Sequence, residues 1–171
     1  MIRKATKNDF KVLIGLQEFI ESLELDILKE CSLSKLQDIL KFVFSSEYDR
    51  FSYKNCRVYE IEGEIKGFSF TYHYDEINKM KEFWFNEVVS KFDLKKDSII
   101  FDYDEVLEEE YYLDTSVKQE VDKKEIWMRN MLDLSKKNQL ISFKINARSI
   151  QIFNSDISKL EDALSDGEVF D

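Results

Sequence analysis

Apolar residues recur along this chain with two periods, and the switches between them mark out its elements. Ile2 to Thr6 alternates as a short strand, and Thr6 with Asp9 has the spacing of a helix-opening cap ahead of Phe10, Leu13, Ile14, Phe19, Ile20 and Leu23. A second helix is expected to start at "SKLQ", with Ser34 and Gln37 as a capping pair, to carry the stripe Leu36, Ile39, Leu40, Val43 and Phe44, and to end near Ser46. In "CRVYEIEGEIKGFSFTYHYDE" the period falls to two. Val58, Glu60 and Glu62 alternate with Tyr59 and Ile61, Gly63 supplies a turn, and Ile65 to Tyr74 resumes the strand, with Gly67 marking a bulge or a close backbone approach.

From Ile77 to Leu94 the spacing is helical again, with Ile77, Met80, Trp84 and Val88 on one side and Phe85, Val89 and Phe92 widening it. Strand propensity returns over Ile99 to Tyr103 and Tyr111 to Val117, on either side of the acidic run Asp104 to Glu110, which reads as a solvated turn. A helix over Asp122 to Lys137, a strand over Leu140 to Ile145 and a short helix through Ile150, Ile152 and Phe153 complete the series. The polar tail after it carries no clear period. This order predicts an α/β (α+β) architecture, a mixed and mostly antiparallel central sheet flanked by helices, with an inserted helix around 77–94.

Length and composition narrow the reading. A chain of 171 residues, 43% hydrophobic, with no proline, four glycines and no internal repeat, fits a single domain over 1–171. Its 35 acidic and 25 basic side chains give a formal charge of −10, which argues against nucleic acid and an anionic membrane surface as partners, because phosphate binding needs a basic face. Cys31, Cys56 and the single histidine, His73, lack the spacing and number of a structural zinc site, so no metal is expected and the cysteines read as idle thiols. Asp9 interrupts the start before an export signal forms, and no stretch approaches the ~20 apolar residues of a membrane span. The expectation is a soluble, cytoplasmic protein.

Four stretches in order then resemble the GNAT superfamily of acyl-CoA-dependent N-acyltransferases. "IRKATKNDF" resembles its opening strand and helix start, "VYEIEGEIKGFSF" its central hairpin, "EEYYLDTSV" its fourth strand, and "NARSIQIF" its late pattern of Asn, two residues, a small residue, two more, an aliphatic and an aromatic. The resemblance implies a GNAT-like acyl-CoA N-acyltransferase fold with acetyl-CoA as cofactor. It implies, if CoA still binds, that fourth-strand amides around Ser116 and Val117 hold the pantetheine arm, that the following turn with Lys123, Lys124 and Ile126 meets the diphosphate at a helix N-terminus, and that Asn146 contacts the arm, a turn-forming role for Asn146 being the equal alternative.

Two departures cut against that site. In "EVDKKEIW", Asp122 stands in the arginine's place, and Lys123, Glu125 and Trp127 stand where the family has glycines. Two carboxylates repel phosphate, and an indole fills space that backbone amides need. The same residues suit a self-capped helix, with Asp122 accepting first-turn amides and Glu125 reaching back, for about 1 kcal/mol without any ligand. At the position matching the family's proton-donating tyrosine stands Phe153, which has no proton to give.

The remaining candidates each carry two readings. Asp114 is a candidate base for an amine or a strand-edge carboxylate, and His73 is a base or a surface imidazole. Lys123 and Lys124 either grip a phosphate or belong to a solvated face. The aromatic set Tyr48, Phe51, Tyr53, Phe68, Phe70, Tyr72, Tyr74 and Trp84 lines a groove or is core. Phe68, Phe70, Tyr72 and Tyr74 share one strand face, which calls for a cover: a helix (the inserted one being nearest), a partner chain or a ligand. Three functions follow: a catalytically degenerate binding or regulatory module, an active acetyl-CoA-dependent N-acetyltransferase acting on an amine of a small molecule or protein, and a self-associating structural protein, for instance a homodimer.

Overall fold

A computed structural model describes residues 1–23, 25–100, 103, 106, 108, 110–117, 140–145 and 148–153. Six strands form one sheet in sequential order: β1 (Ile2–Lys4), β2 (Cys56–Ile61), β3 (Glu64–His73), β4 (Glu110–Val117), β5 (Leu140–Ile145) and β6 (Arg148–Phe153). All neighbours are antiparallel except β4 and β5, which run parallel. Three helices, α1 (Val12–Ser22), α2 (Ile27–Glu30) and α3 (Leu33–Ser45), fill the connection from β1 to β2. A fourth helical segment follows β3: α4 (Ile77–Phe83), a π turn at Trp84–Val88, and α5 (Val89–Lys91).

Local chemistry sets these boundaries. The β2–β3 hairpin turns on Glu62 and Gly63, both with positive φ (51° and 79°), the combination a two-residue type I′ turn requires. The pairing Tyr59↔Gly67 followed by Glu60↔Ile65 leaves Lys66 as an extra residue, a bulge beside the glycine that suggested one. Asp9 accepts the amide and hydroxyl of Thr6 at 2.6 and 2.8 Å, so the expected reciprocal bond forms, but it closes the turn ahead of α1 and not the first helical turn itself. In α3 the cap is Ser32, whose hydroxyl accepts the Lys35 amide, two residues before the expected Ser34; the apolar stripe from Leu36 to Phe44 is buried as anticipated. The inserted helix ends at Lys91. Asp93 takes positive φ (47°), its amide bonds Ser90 O, and the Leu94 amide bonds Val89 O, a Schellman closure built on a residue other than glycine.

Two expected elements are replaced. Ile99 to Tyr103 does not form a strand over its described residues: Ile100 and Tyr103 are buried as irregular chain, so their hydrophobicity reflects burial and not pairing. The short helix through Ile150, Ile152 and Phe153 is instead strand β6, paired with β5 from Leu140↔Phe153 to Ile145↔Arg148. Its β-branched isoleucines two apart suit a pleated strand better than a helical turn. The helix expected over Asp122 to Lys137 lies outside the described residues.

The core lies between the helices and one sheet face. Phe68, Phe70 and Tyr72 are buried there, whereas Tyr74 has left the strand and is exposed. The chain itself supplies the cover: α1 brings Gly15 against the Phe68 ring, Phe51 meets Phe70 edge-on at 5.4 Å, and Arg50 lies over Tyr72 at 5.6 Å. Thus α1 and the loop before β2 cover these rings, not the inserted helix alone.

Candidate functional site

The site begins with a mismatch in strand length. β3 holds one edge of β4 along nearly its whole course, from His73↔Tyr111 to Gly67↔Val117. On the other edge, parallel pairing with β5 is confined to Glu110–Tyr112 opposite Ser142–Lys144. β5 stops at Ile145 while β4 runs on to Val117, so Leu113–Val117 has no strand on that side among the described residues. At about 3.3 Å per residue the unmatched stretch is roughly 15 Å long. Main-chain donors and acceptors along such an edge can bind an extended, amide-bearing molecule as another strand would.

Three of the candidate residues stand on this open stretch. Asp114 is the register partner of Phe70, Ser116 of Phe68 and Val117 of Gly67. Phe153 is not brought to them: it pairs with Leu140, at the end of β5 away from the opening, roughly 16 Å along the strand from Ile145. Lys123, Lys124, Ile126 and Asn146 lie outside the described residues, as do Asp122, Glu125 and Trp127.

Beside the paired end of β4, aromatic contacts fasten it to β3. Tyr72 stacks on its register partner Tyr112 at 5.0 Å and 20°, and His73 meets Tyr111 edge-on at 4.7 Å. Burial pushes the Tyr111 phenol up, helped by the charges of Glu76 and Asp75. His73 works as a cap: Nδ1 accepts the Asp75 amide at 3.3 Å while the Glu76 carboxylate accepts the His73 amide at 3.3 Å, starting the 3-10 turn that leads into α4. Of the aromatic set, Tyr48 is exposed and lines a cleft of about 310 Å3 with Glu47, Lys54, Glu76 and Lys79. Cys56 is buried and Cys31 partly so; both are free thiols, and burial pushes each up. Among the described residues no His, Cys, Asp and Glu cluster could hold a metal ion, and no helix is long and apolar enough to cross a membrane.

Solved structures of acetyltransferases are similar to this chain over nearly its whole length. "The crystal structure of acetyltransferase" matches with a TM-score of 0.69 at 25% identity, over 95% of this chain and 87% of that one. The fold is GNAT-like. "Crystal structure of N-acetyltransferase from Staphylococcus aureus Mu50" matches with a TM-score of 0.61 at 19% identity, over 96% of this chain and 88% of that one. A family profile described as "Protein of unknown function (DUF4011)" matches residues 130–171, of which 140–145 and 148–153 are among the described residues. No curated protein sequence matches. In this GNAT-like frame β4 is the strand that "EEYYLDTSV" resembled, and the inserted segment from Ile77 to Lys91 lies between β3 and β4.

Sequence reasoning placed Asp114, Ser116 and Val117 on a strand and gave β5 its bounds, Leu140–Ile145, but not the register that pairs β5 with only the first residues of β4. It also passed over Asp49 and Arg50, both buried. Two charged residues between Tyr48 and Phe51 follow no period, and a charged pair flanked by aromatic rings was the one signal available.

Proposed function

We propose that this chain is a GNAT-like module that has lost catalytic competence at its acyl-CoA site and acts by binding or regulation. One observation carries the reading: just past the β4 residue Val117, where the resemblance calls for an arginine and phosphate-facing glycines, the chain has Asp122, Lys123, Glu125 and Trp127. Carboxylates at a helix N-terminus neutralise the partial positive charge that would otherwise attract a diphosphate. Phe153, at the matching place of the late pattern, adds support through its residue type, having no proton to give.

The residues present suit acetyl-CoA unevenly. The open edge of β4 fits the pantetheine arm, with Asp114 beside it as the candidate base, but Asp122, Glu125 and Trp127 oppose the diphosphate. A second reading, an active N-acetyltransferase, draws on that open edge and on Lys123 and Lys124 as phosphate partners.

Thermal unfolding with excess acetyl-CoA separates the two. A ligand at 100 times its dissociation constant adds about 2.7 kcal/mol, a shift of several degrees at this chain length. The degenerate reading expects no shift in the natural protein and a shift in a variant combining Asp122→Arg, Glu125→Gly and Trp127→Gly. A shift in the natural protein, together with acceptor-dependent release of the CoA thiol from a primary amine, establishes the active enzyme instead.

A further inference from the structure

The surface cleft beside Tyr48 lies at the other end of β3 from the open edge of β4. Its volume of about 310 Å3 falls within the range of small-molecule sites. Two stretches of chain wall it: Glu47, Tyr48, Lys54 and Asn55 from the loop between α3 and β2, and Glu76, Lys79 and Met80 from around the start of α4. Glu76 comes just after His73, the register partner of Tyr111, whereas the open stretch of β4 ends at Val117 opposite Gly67. That is about 20 Å away along β3, so the cleft and the open edge are separate places.

The charged groups of the cleft divide into a matched pair and an unmatched one. Lys54 Nζ bonds the Glu47 carboxylate at 2.5 Å, so these two satisfy each other. Glu76 and Lys79 stand three residues apart, close enough along a helix to pair, yet no ion pair joins them, and Lys79 has no ion-pair partner among the described residues. Glu76 is fixed by the turn it helps to start: Oε2 accepts the His73 amide at 3.3 Å, which leaves Oε1. Asn55 is fixed in a similar way, since Nδ2 donates to Asp49 O at 3.0 Å and leaves its Oδ1 as an acceptor. The wall therefore offers acceptors at Glu76 and Asn55 and a donor-only ammonium at Lys79. Between them lie the exposed Tyr48 ring and an apolar floor at Met80, which is 2% exposed.

We propose that this cleft binds a free α-amino acid with an apolar side chain. The ligand's ammonium meets Glu76 and Asn55, its carboxylate meets Lys79, and its side chain lies against Tyr48 and Met80. A zwitterion is the ligand that uses both unmatched charges: a simple anion is repelled by Glu76, and a simple amine by Lys79. The Glu47 and Lys54 pair adds no net charge to either side of that balance. Hydrogen bonds between charged partners at both ends of a small molecule fix its orientation as well as its affinity. Occupation of the cleft does not depend on whether acetyl-CoA binds at β4.

Titration of the full chain followed by NMR at the methionine methyls and the Asn55 side-chain amide tests this, with leucine, methionine and phenylalanine as probes, each beside its N-acetyl and carboxamide derivatives. The expected result is a saturable shift of the Met80 and Asn55 signals by at least one of the free amino acids. Blocking either charge of that ligand should weaken binding about tenfold or more. Lys79→Met and Glu76→Gln should each weaken it by a similar factor, and the glutamine keeps a carbonyl for the His73 amide, so the turn before α4 survives. The readout involves no coenzyme, so its outcome is distinct from that of the acetyl-CoA experiment. No saturable shift with any of the three amino acids, equal binding of the blocked derivatives, or undiminished binding by folded Lys79→Met protein overturns the proposal.

Discussion

The guanidinium of Arg3 holds both carboxylate oxygens of Asp9, at 2.8 and 2.9 Å, and reaches Glu60 by two more bonds of 2.8 and 2.9 Å. One side chain thereby joins β1, the turn before α1, and β2. Hydrogen bonds of this charged kind contribute about 1.5–3 kcal/mol, so Asp9→Asn should destabilise by about 2 kcal/mol in urea unfolding at neutral pH. The bond from Arg3, helped by the Thr6 amide and hydroxyl, brings the Asp9 carboxyl down to about 2 against the cost of burial. With the folded value depressed, this contribution is present above the ordinary 3.8 and disappears as pH falls through about 2. The Asn variant should lose that part of the acid dependence.

Gly15 sits where α1 presses on β3. A methyl group there would stand 2.8 Å from Cε1 of the Phe68 ring, which Phe70 holds edge-on at 5.8 Å. Gly15→Ala should therefore destabilise by about 1–3 kcal/mol, outweighing the ~1 kcal/mol that alanine brings to a helix. Combining it with Phe68→Leu should recover part of the loss, as a double-mutant cycle in denaturant would show.

Trp84 opens the π turn and donates its indole N–H to Ser98 O at 2.6 Å in the buried interior. Trp84→Phe keeps most of the apolar contact but strands that carbonyl, a cost of about 1–3 kcal/mol. Trp84→Ala should cost about 3–5 kcal/mol. Equilibrium unfolding of the two variants separates the bond from the packing.

The hairpin turn offers a stabilising change. Both central residues have positive φ, and Glu62 suits that conformation poorly. Glu62→Asn should raise stability by a few tenths of a kcal/mol, whereas Gly63→Ala should lower it by about 1 kcal/mol. Paired melting curves would test the opposite signs.

How far the sequence foretold these features depends on which physical signal each one carries. The stripe from Leu36 to Phe44 and the alternation through Phe68, Phe70 and Tyr72 were legible because burial on one face imprints a period. Ser32 was missed in favour of Ser34 because two serines near one helix start satisfy the same pattern, and only the backbone, extended at Ser32, tells them apart. Ile99 to Tyr103 and Ile150 to Phe153 went astray for one reason: a short apolar run states that it is buried without stating how its amides are paired. At the candidate site, the extents of β4 and β5 were readable and their register was not, because the pairing of two strands far apart in sequence leaves no local period. Asp49 and Arg50 follow no period, and it is their burial by distant parts of the chain that makes them notable.

The parting of β4 from β5 has a consequence for how such a protein can change over time. Beyond Tyr112 the edge of β4 that no described strand takes up offers main-chain amides, which every residue except proline supplies. A lineage can therefore exchange the side chains around that edge while the main-chain groups along it are inherited unchanged.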